Sequence, residues 1–416
     1  MRYSKSFDPS IVQSLADIIC KLNPVECATP ANVAKEKAKW LKAANCYRYG
    51  NPKFRYDTDA LETVVSYRES LEKGQKHLRE KITPDSLAER VFLDIIDERI
   101  EDAITCTSLA ASILEGDDKA SAESIRKIYG CPDSALIVDA YQIASGELIR
   151  PEIKSRFTKK EVKKLKDINC NADDIAYWFR EVLGRYGIED WPVEVGEKYV
   201  AIDVRDKNIS GHPVVGIPAD RECDGLDLLK LIGHEIECHL LGSMNCYALA
   251  EDTLGADSPL APLYRIVAKS DNELFYEGVA KISDVNIVGS DALPLPFATI
   301  AIDQSRRGSN FRKIAMLIRS ERMRMGASEE AATKGAWTTT CRIMRGCTKP
   351  SKSGFANTKD HIYLRGYSLA QNVDPSWLNF GSMTIEDLTA ISKVCELEAR
   401  YPRLDAVGWV KDQLLS

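Results

Sequence analysis

The stretch LIGHEIECHLLG, Leu231 to Gly242, holds two of the chain's five histidines within an otherwise apolar segment. Glu235 directly follows the first histidine, His234, and the second, His239, comes five positions after His234. Apolar residues at three-and-four spacing through this segment predict a helix. The chemistry of the chain depends on whether the two imidazoles face the same way.

The five-residue spacing differs from the H-E-x-x-H pattern of zinc peptidases, where the histidines lie four apart on one helical face. On a regular α-helix, His234 and His239 would point about 140° apart and could not share an ion. A π-bulge absorbs one extra residue and often occurs at functional sites. A regular helix would instead pair His234 with Cys238 or Glu235 with His239, or leave both histidines as ordinary half-buried residues.

A third ligand is needed, because catalytic zinc usually has three protein ligands and an open position for water. Downstream, the stretch DNELFYEGVAKISD places Glu273 and Glu277 four apart on one face of a predicted helix. Exposed glutamates at this spacing are common on surface helices. The pair therefore indicates a metal site only in combination with the histidine segment.

The rest of the chain predicts an α+β fold, predominantly helical, with one small mixed sheet preceding the metal-binding helix. Residues 191–220 are rich in Val and Ile, are broken by Gly and Pro, and predict two or three short strands. We expect a helical N-terminal region at 1–155 and a catalytic domain at 156–416. Helix ends are predicted at four N-caps and one terminal glycine, namely Asp59, Ser86, Asp224, Ser328 and Gly116.

Composition excludes several classes of protein. The net charge of −6 argues against a general nucleic-acid binder, and no run of about 18 apolar residues could span a membrane. The twelve cysteines form no C-x-x-C pair, which argues against a zinc ribbon or a thioredoxin-type motif. We expect a cytoplasmic protein whose cysteines are mostly reduced and buried.

Four blocks in order resemble a known family. The chain has His-Glu-x-x-x-His, followed about 40 residues later by Glu-Gly-x-Ala. This pattern resembles that of the QEGLA-motif family, whose bacterial members are described as flavohemoglobin expression-modulating. Its animal members include the microtubule-associated tyrosine carboxypeptidases. NPKFRY (51–56), RIMRG (342–346) and FANTKDHIYLRGY (355–367) resemble further segments of that family.

The resemblance implies a mononuclear zinc metallopeptidase with a zincin-like core. It implies His234, His239 and Glu277 as zinc ligands and Glu235 as the general base that accepts the proton of the attacking water. The chain departs from the family at Cys238, where threonine is common, and at YEGVA, where Tyr276 and Val279 replace Gln and Leu. These departures put substrate preference in doubt, and Cys238 becomes an alternative ligand.

A carboxypeptidase also needs a cation for the terminal carboxylate of its substrate, and arginine suits this role because its fork binds a carboxylate with two hydrogen bonds. The candidates lie in or beside the C-terminal family-like blocks, and they are Arg342, Arg345, Lys349 and Lys359. We favour Arg345 and Lys359, with Tyr363 as a hydrogen-bond donor to the oxyanion or the substrate. The alternative for each is a surface cation or a buried tyrosine.

The sequence therefore predicts a zinc-dependent metallocarboxypeptidase, a hydrolase that releases a C-terminal residue from a peptide or protein, with an aromatic residue as one candidate. A zinc endopeptidase or amidase that matures a peptide is one alternative, and a non-catalytic metal-binding regulatory protein is another.

The basic segment RRGSNFRKIAMLIRSERMR (306–324) carries seven Arg or Lys residues against one acid. It is either a solvated helix face or a docking surface for an acidic C-terminal tail.

Overall fold

The computed structural model describes residues 1–44, 49–189, 191–199, 202–205, 214–268, 273–352 and 354–416. It has a predominantly helical α+β fold, as the sequence predicts. Part of the stretch predicted as strands, together with Cys46, lies outside the described residues. No helix in the described ranges is both long and apolar enough to cross a membrane.

The N-terminal part is helical, with one short strand pair. In chain order its elements are β1 (Arg2–Tyr3), α1 (Pro9–Lys21), α2 (Pro24–Cys27), α3 (Val33–Ala44), α4 (Thr58–Ser66), α5 (Arg68–Lys81), β2 (Ile82–Thr83), α6 (Leu87–Glu115), α7 (Asp118–Tyr129) and α8 (Ser134–Ser145). Ser86 caps α6, and Gly116 ends it with φ of 67°, as predicted. The predicted cap Asp59 is wrong: Asp57 caps α4, because its carboxylate accepts the backbone N–H of Asp59.

The middle part carries the short strands and the histidine segment. Its elements are α9 (Lys159–Lys166), β3 (Asn169–Cys170), α10 (Ala172–Arg185), β4 (Val193–Gly196), β5 (Asp203–Arg205), β6 (Val214–Pro218), β7 (Cys223–Asp224), α11 (Gly225–Leu231), a π-helix (Ile232–Leu240), α12 (Leu241–Leu254), α13 (Tyr264–Val267) and α14 (Leu274–Val288). Asp224 caps α11, as predicted, by accepting the backbone N–H of Asp227.

The C-terminal part returns to helix. Its elements are α15 (Phe297–Arg306), α16 (Phe311–Arg324), α17 (Glu329–Ile343), α18 (Ile362–Ala370), α19 (Ile385–Ile391) and α20 (Ala406–Leu415). Ser328 caps α17 through a hydrogen bond from the Ala331 backbone N–H, which confirms the prediction.

A small mixed sheet precedes the histidine segment, as predicted. Strand β6 is its centre, parallel to β4 and antiparallel to β5. The structure adds two pairs that the sequence did not predict, β1 with β2 and β3 with β7. Each of these strands has two residues, which is too short for an alternating pattern to show in the sequence.

The apolar core joins the two ends of the chain. One cluster combines Leu15 and Ile96 of the N-terminal helices with Leu249 and Leu388 of later ones. Within it, the buried guanidinium of Arg99 on α6 forms an ion pair with Asp387 on α19. The N-terminal helices thus pack on the part of the chain that carries the histidines, and the boundary after residue 155 stays a prediction.

Two glycines let α14 and α18 approach closely. A Cβ at Gly278 would overlap the backbone of Gly366, and a Cβ at Gly366 would overlap the carbonyl oxygen of Leu274. Backbone atoms cannot move aside as a flexible side chain can, so only glycine fits at this crossing. This contact fixes Glu277, the residue before Gly278, relative to Tyr363 on α18.

The family-like segment NPKFRY has a structural role. Asn51 accepts a hydrogen bond of 2.9 Å from the backbone N–H of Arg312, at the start of α16. Phe54 is buried, and the Tyr56 hydroxyl donates to the carbonyl of Cys347 at 3.0 Å. The segment therefore ties the N-terminal helices to the loop after α17.

The cysteines of the described ranges are free thiols, and most are buried among apolar side chains. This agrees with the prediction that they act as small apolar residues.

Candidate metal centre

The helix that carries both histidines is widened. Residues Ile232–Leu240 form a π-helix, in which each backbone hydrogen bond spans five residues instead of four. Residues five apart therefore return to one face, and the ring centroids of His234 and His239 lie 4.7 Å apart. The structure thus contains the local widening that shared ligation by the two histidines requires.

Glu237 anchors the π-helix to the rest of the fold. Its carboxylate accepts hydrogen bonds from the Tyr186 hydroxyl at 2.9 Å and from the Ala406 backbone N–H at 2.8 Å. Burial raises the pKa of Glu237 despite these bonds. Its side chain belongs to the packing of α10 and α20 against the π-helix.

Three side chains converge where the sequence places the ligands. His234, His239 and Glu277 each offer a ligand atom, and these atoms all lie within 4.8 Å of one another. Nε2 of His234 is 4.0 Å from Oε2 of Glu277. These three residues, the metal group, could hold a metal ion.

The two alternative ligands are engaged elsewhere. The Cys238 thiol is buried in the apolar core and donates to the carbonyl oxygen of Val279 at 3.8 Å. Glu273 has a left-handed backbone conformation, with φ of 45°, and its carboxylate lies 2.5 Å from Nζ of Lys359. Neither residue belongs to the converging group.

Asp284 is a site residue that sequence reasoning missed. Its Oδ1 lies 3.1 Å from Nδ1 of His234, and its Oδ2 lies 2.5 Å from Nζ of Lys281. A carboxylate in this position fixes the ring and the tautomer of a metal-binding histidine, leaving Nε2 free for the ion. The sequence carries a signal for Asp284, because it follows Glu277 by seven residues and so lies on the same helix face two turns later.

Tyr276 is a second missed residue. Its ring stacks on the imidazole of His239, with centroids 3.7 Å apart and planes 17° from parallel. Within the described residues, Nδ1 of His239 is buried and has no hydrogen-bond partner. Tyr276 therefore orients the His239 ring, and a contact of this kind leaves no trace in residue spacing.

Burial and nearby charges shift the pKa values of the three converging side chains in different directions. Burial and the positive charges around the site hold the pKa of His239 well below its ordinary value, so its imidazole is neutral. Burial alone would lower the pKa of His234, but the bond to Asp284 raises it. Burial also raises the pKa of Glu277, and a nearby cation would favour its charged form.

The donor set fits zinc. Two imidazole nitrogens and one carboxylate oxygen form a common ligand set of catalytic zinc sites. Tetrahedral zinc with bonds of about 2.0–2.2 Å separates its ligand atoms by roughly 3.4 Å. A group spread over at most 4.8 Å needs only a small inward movement of the side chains to reach that separation.

The three converging side chains open into a cleft of about 1010 Å³. Glu235, the predicted general base, lines this cleft beside His234 and His239. Tyr363 also lines it, and its hydroxyl donates to Oε1 of Glu277 at 3.4 Å. The cleft thus combines the metal group with a carboxylate and a phenol.

The predicted substrate cations differ in position. Arg342 and Lys359 line the cleft, but Arg342 forms two hydrogen bonds with Asp360, at 2.5 and 2.8 Å, and Lys359 pairs with Glu273. Arg345 is half-buried and is not among the residues that line the cleft, and Lys349 donates to the Gly116 carbonyl at 3.3 Å. The substrate role of Arg345 stays a prediction.

No protein-family model matches this chain, and no curated protein matches it.

Proposed function

We propose that this protein is a zinc-dependent metallocarboxypeptidase, a metalloprotease that hydrolyses the C-terminal peptide bond of a peptide or protein. The observation that carries the proposal is the convergence of His234, His239 and Glu277 in a cleft that Glu235 also lines. The metal-binding helix follows a small mixed sheet, which supports a zincin-like arrangement of the catalytic core.

Glu235 is the proposed general base. A bound zinc ion would supply Lewis acidity and lower the pKa of a coordinated water toward about 7. Glu235 accepts the proton of the attacking water and delivers it to the leaving amine. Its place directly after His234 on the π-helix keeps this carboxylate beside the metal group.

Tyr363 and Arg342 line the same cleft as Glu235. The Arg342 guanidinium donates to the Tyr363 hydroxyl at 3.2 Å, and its cationic carbon lies 5.6 Å from the centre of the tyrosine ring. Burial raises the pKa of Tyr363 well above its ordinary value, so the phenol keeps its proton. A protonated phenol held in this way can donate a hydrogen bond to the oxygen that becomes negative during the reaction.

Mass spectrometry of short peptides incubated with zinc-loaded protein tests the proposal, using matched peptides with free and amidated C-termini. Glu235→Gln protein run in parallel excludes a contaminating peptidase. The proposal expects loss of one terminal residue from the free peptides only, and none with the variant. Cleavage of both sets would instead establish an endopeptidase, and no cleavage of any peptide would favour a metal-binding regulatory role.

A further inference from the structure

The cleft is lined by basic side chains, nearly all of which already have a carboxylate partner. The ion pairs, with N–O distances of 2.5–2.8 Å, are Lys198–Glu194, Lys230–Asp227, Lys281–Asp284, Arg342–Asp360 and Lys359–Glu273. Within the described part of the chain, Arg322 is the one cation of this cleft that has no ion pair. An anion that enters the cleft would find its uncompensated positive charge at Arg322.

Arg322 is held in place without being neutralised. Its guanidinium lies over the ring of Phe297, 4.5 Å from the centroid, and Nη2 donates to the Thr339 hydroxyl at 3.4 Å. Its Nε is buried and has no hydrogen-bond partner among the described residues. Burial lowers the pKa of Arg322, but an arginine this basic stays charged at neutral pH.

Gly335 on α17 makes room for this guanidinium. A Cβ at Gly335 would lie only 2.7–2.8 Å from three guanidinium atoms of Arg322. Glycine in a helix interior is less stabilising than alanine, so its presence here needs a reason such as this close approach. The position of Arg322 is therefore accommodated by the facing helix.

The helix α17 relates Arg322 to the residues around the metal group. Thr339, which accepts its hydrogen bond, lies three residues before Arg342 and so on the same face of α17. Arg342 donates to Tyr363, and Tyr363 donates to Glu277. Arg322 thus contacts α17 about one helical turn before Arg342, and it lines the same cleft as Tyr363.

Apolar residues form an adjoining wall of the cleft, which includes Phe297 beneath the Arg322 guanidinium. They belong to the loop before α15 and its first turn, and they are Leu293, Pro294, Leu295, Phe297 and Ala298. Leu295 has 49% of its surface exposed although it is a large apolar residue. A cation next to an apolar surface matches the two ends of an apolar C-terminal residue, its carboxylate and its side chain.

We propose that Arg322 binds the terminal carboxylate of the substrate and that the adjoining apolar wall receives the side chain of the last residue. This assignment rests on the proposed carboxypeptidase function and replaces Arg345 and Lys359 as the favoured carboxylate-binding residues. The substrate class that follows is a peptide with a free C-terminus and an apolar or aromatic last residue. An arginine fork in a half-buried position suits bidentate recognition of that carboxylate.

Binding to zinc-loaded Glu235→Gln protein tests the assignment without requiring turnover. Isothermal titration calorimetry would compare the Kd values of a peptide ending in tyrosine and of its C-terminal amide. We expect the free acid to bind about ten- to a hundredfold more tightly, as for hydrogen bonds to charged groups. Adding Arg322→Gln should reduce that preference to less than threefold.

Arg319→Gln in the same background is the matched control. Arg319 lies one turn earlier on α16, pairs with Glu329 and does not line the cleft, so the preference should persist. Gly335→Ala provides a second test, because it displaces the guanidinium while keeping its charge, and it should also weaken the preference. Zinc affinity, measured in each variant, should not change.

Two results would overturn the assignment: a preference that survives Arg322→Gln, or equal binding of both peptides when Arg322 is intact. Hydrolysis by protein with Glu235 intact is measured separately. A failure of the proposed function, seen as no cleavage, is thereby distinguished from a failure of Arg322 to recognise the carboxylate.

Discussion

At the scale of single residues, the metal group is shaped by two side chains that do not belong to it. Asp284 fixes His234 through a hydrogen bond, and Tyr276 fixes His239 by stacking. Each ligand histidine thus has its own orienting contact. A change in ring orientation weakens metal binding, because the ion requires ligand atoms at set distances and angles.

Asp284→Asn should lower zinc affinity by about ten- to a hundredfold while the protein stays folded, because the amide cannot supply the charge that orients His234. Competition with a fluorescent zinc chelator measures the change. Asp291→Asn is the control, since Asp291 lines the same cleft but makes no contact with His234. Equal zinc affinity in the Asp284 variant and the unmodified protein would remove Asp284 from the site.

Tyr276→Phe should keep zinc affinity within about twofold, because the phenyl ring can still stack on His239, whereas Tyr276→Leu should lower it by about tenfold. The same chelator competition separates the two variants. A loss of affinity in the phenylalanine variant as large as in the leucine variant would show that the hydroxyl, not the stacked ring, supports the ligand.

At the scale of elements, the sequence predicts which residues converge in the metal group, but it does not predict the contacts between helices that position them. The five-residue spacing of His234 and His239 predicts a widened helix only on the condition that both rings share one ion, and the spacing alone left the pairing of His234 with Cys238 open. The residue proposed to bind the substrate carboxylate could not be predicted from residue spacing. Arg322 was placed within a generic basic segment, and only its packing against Phe297 and Gly335 distinguishes it.

That basic segment is also less charged than its composition indicates. Arg307, Arg319 and Arg324 pair with Asp303, Glu329 and Glu321. Two of these ion pairs have the spacing of neighbouring helix turns and the third joins α16 to α17, and together they offset part of the positive field that the sequence predicts for residues 306–324. Docking of an acidic tail on this segment stays a prediction.

Gly278→Ala tests the crossing of α14 and α18. The added Cβ meets the backbone of Gly366, so we expect a loss of about 1–3 kcal/mol in the free energy of unfolding and weaker zinc binding. Gly184→Ala in α10 is the matched control, because nothing lies within 4 Å of its Cβ. Urea denaturation should show that the Gly184 variant is as stable as the unmodified protein or more stable. An equally small change in unfolding free energy for the Gly278 variant would show that its Cβ is tolerated at the crossing.

Asp360→Asn tests the junction of α17 and α18. Losing the partner of Arg342 should lower the free energy of unfolding by about 3 kcal/mol at pH 7. Burial alone would raise the pKa of Asp360, but the charge of Arg342 holds it below its ordinary value. The stabilisation is therefore present above that ordinary value, near pH 4, and is lost as the pH falls further.

Chemical denaturation of both proteins across a pH series checks this. The difference in unfolding free energy between unmodified protein and the Asp360→Asn variant should be largest near neutral pH and shrink below about pH 4. A difference that grows on acidification would have the wrong sign for a carboxylate with a depressed pKa.

At the scale of the whole molecule, the metal group joins segments that are distant in the sequence. His234 and His239 come from the π-helix, Glu277 comes from α14, and the apolar core brings both against the N-terminal helices. The α+β class and the small sheet could be predicted from periodicity. Which helices share a core could not, because that depends on side-chain fit between segments far apart in the chain.

A metal that binds only the folded state should stabilise the whole chain. Zinc at a hundredfold excess over its Kd should raise the free energy of unfolding by about 2.7 kcal/mol, which thermal denaturation would detect as a higher Tm. His239→Ala protein should show no such shift. A shift of the same size in that variant would place the zinc elsewhere.

X-ray absorption spectroscopy of the zinc-loaded protein is the most direct test of the central claim, that His234, His239 and Glu277 hold one zinc ion. We expect one zinc per chain with only nitrogen and oxygen neighbours at about 2.0–2.2 Å and the scattering pattern of two imidazoles. A sulfur neighbour at about 2.3 Å would instead place Cys238 on the metal, and a spectrum unchanged by His239→Ala would exclude the shared site.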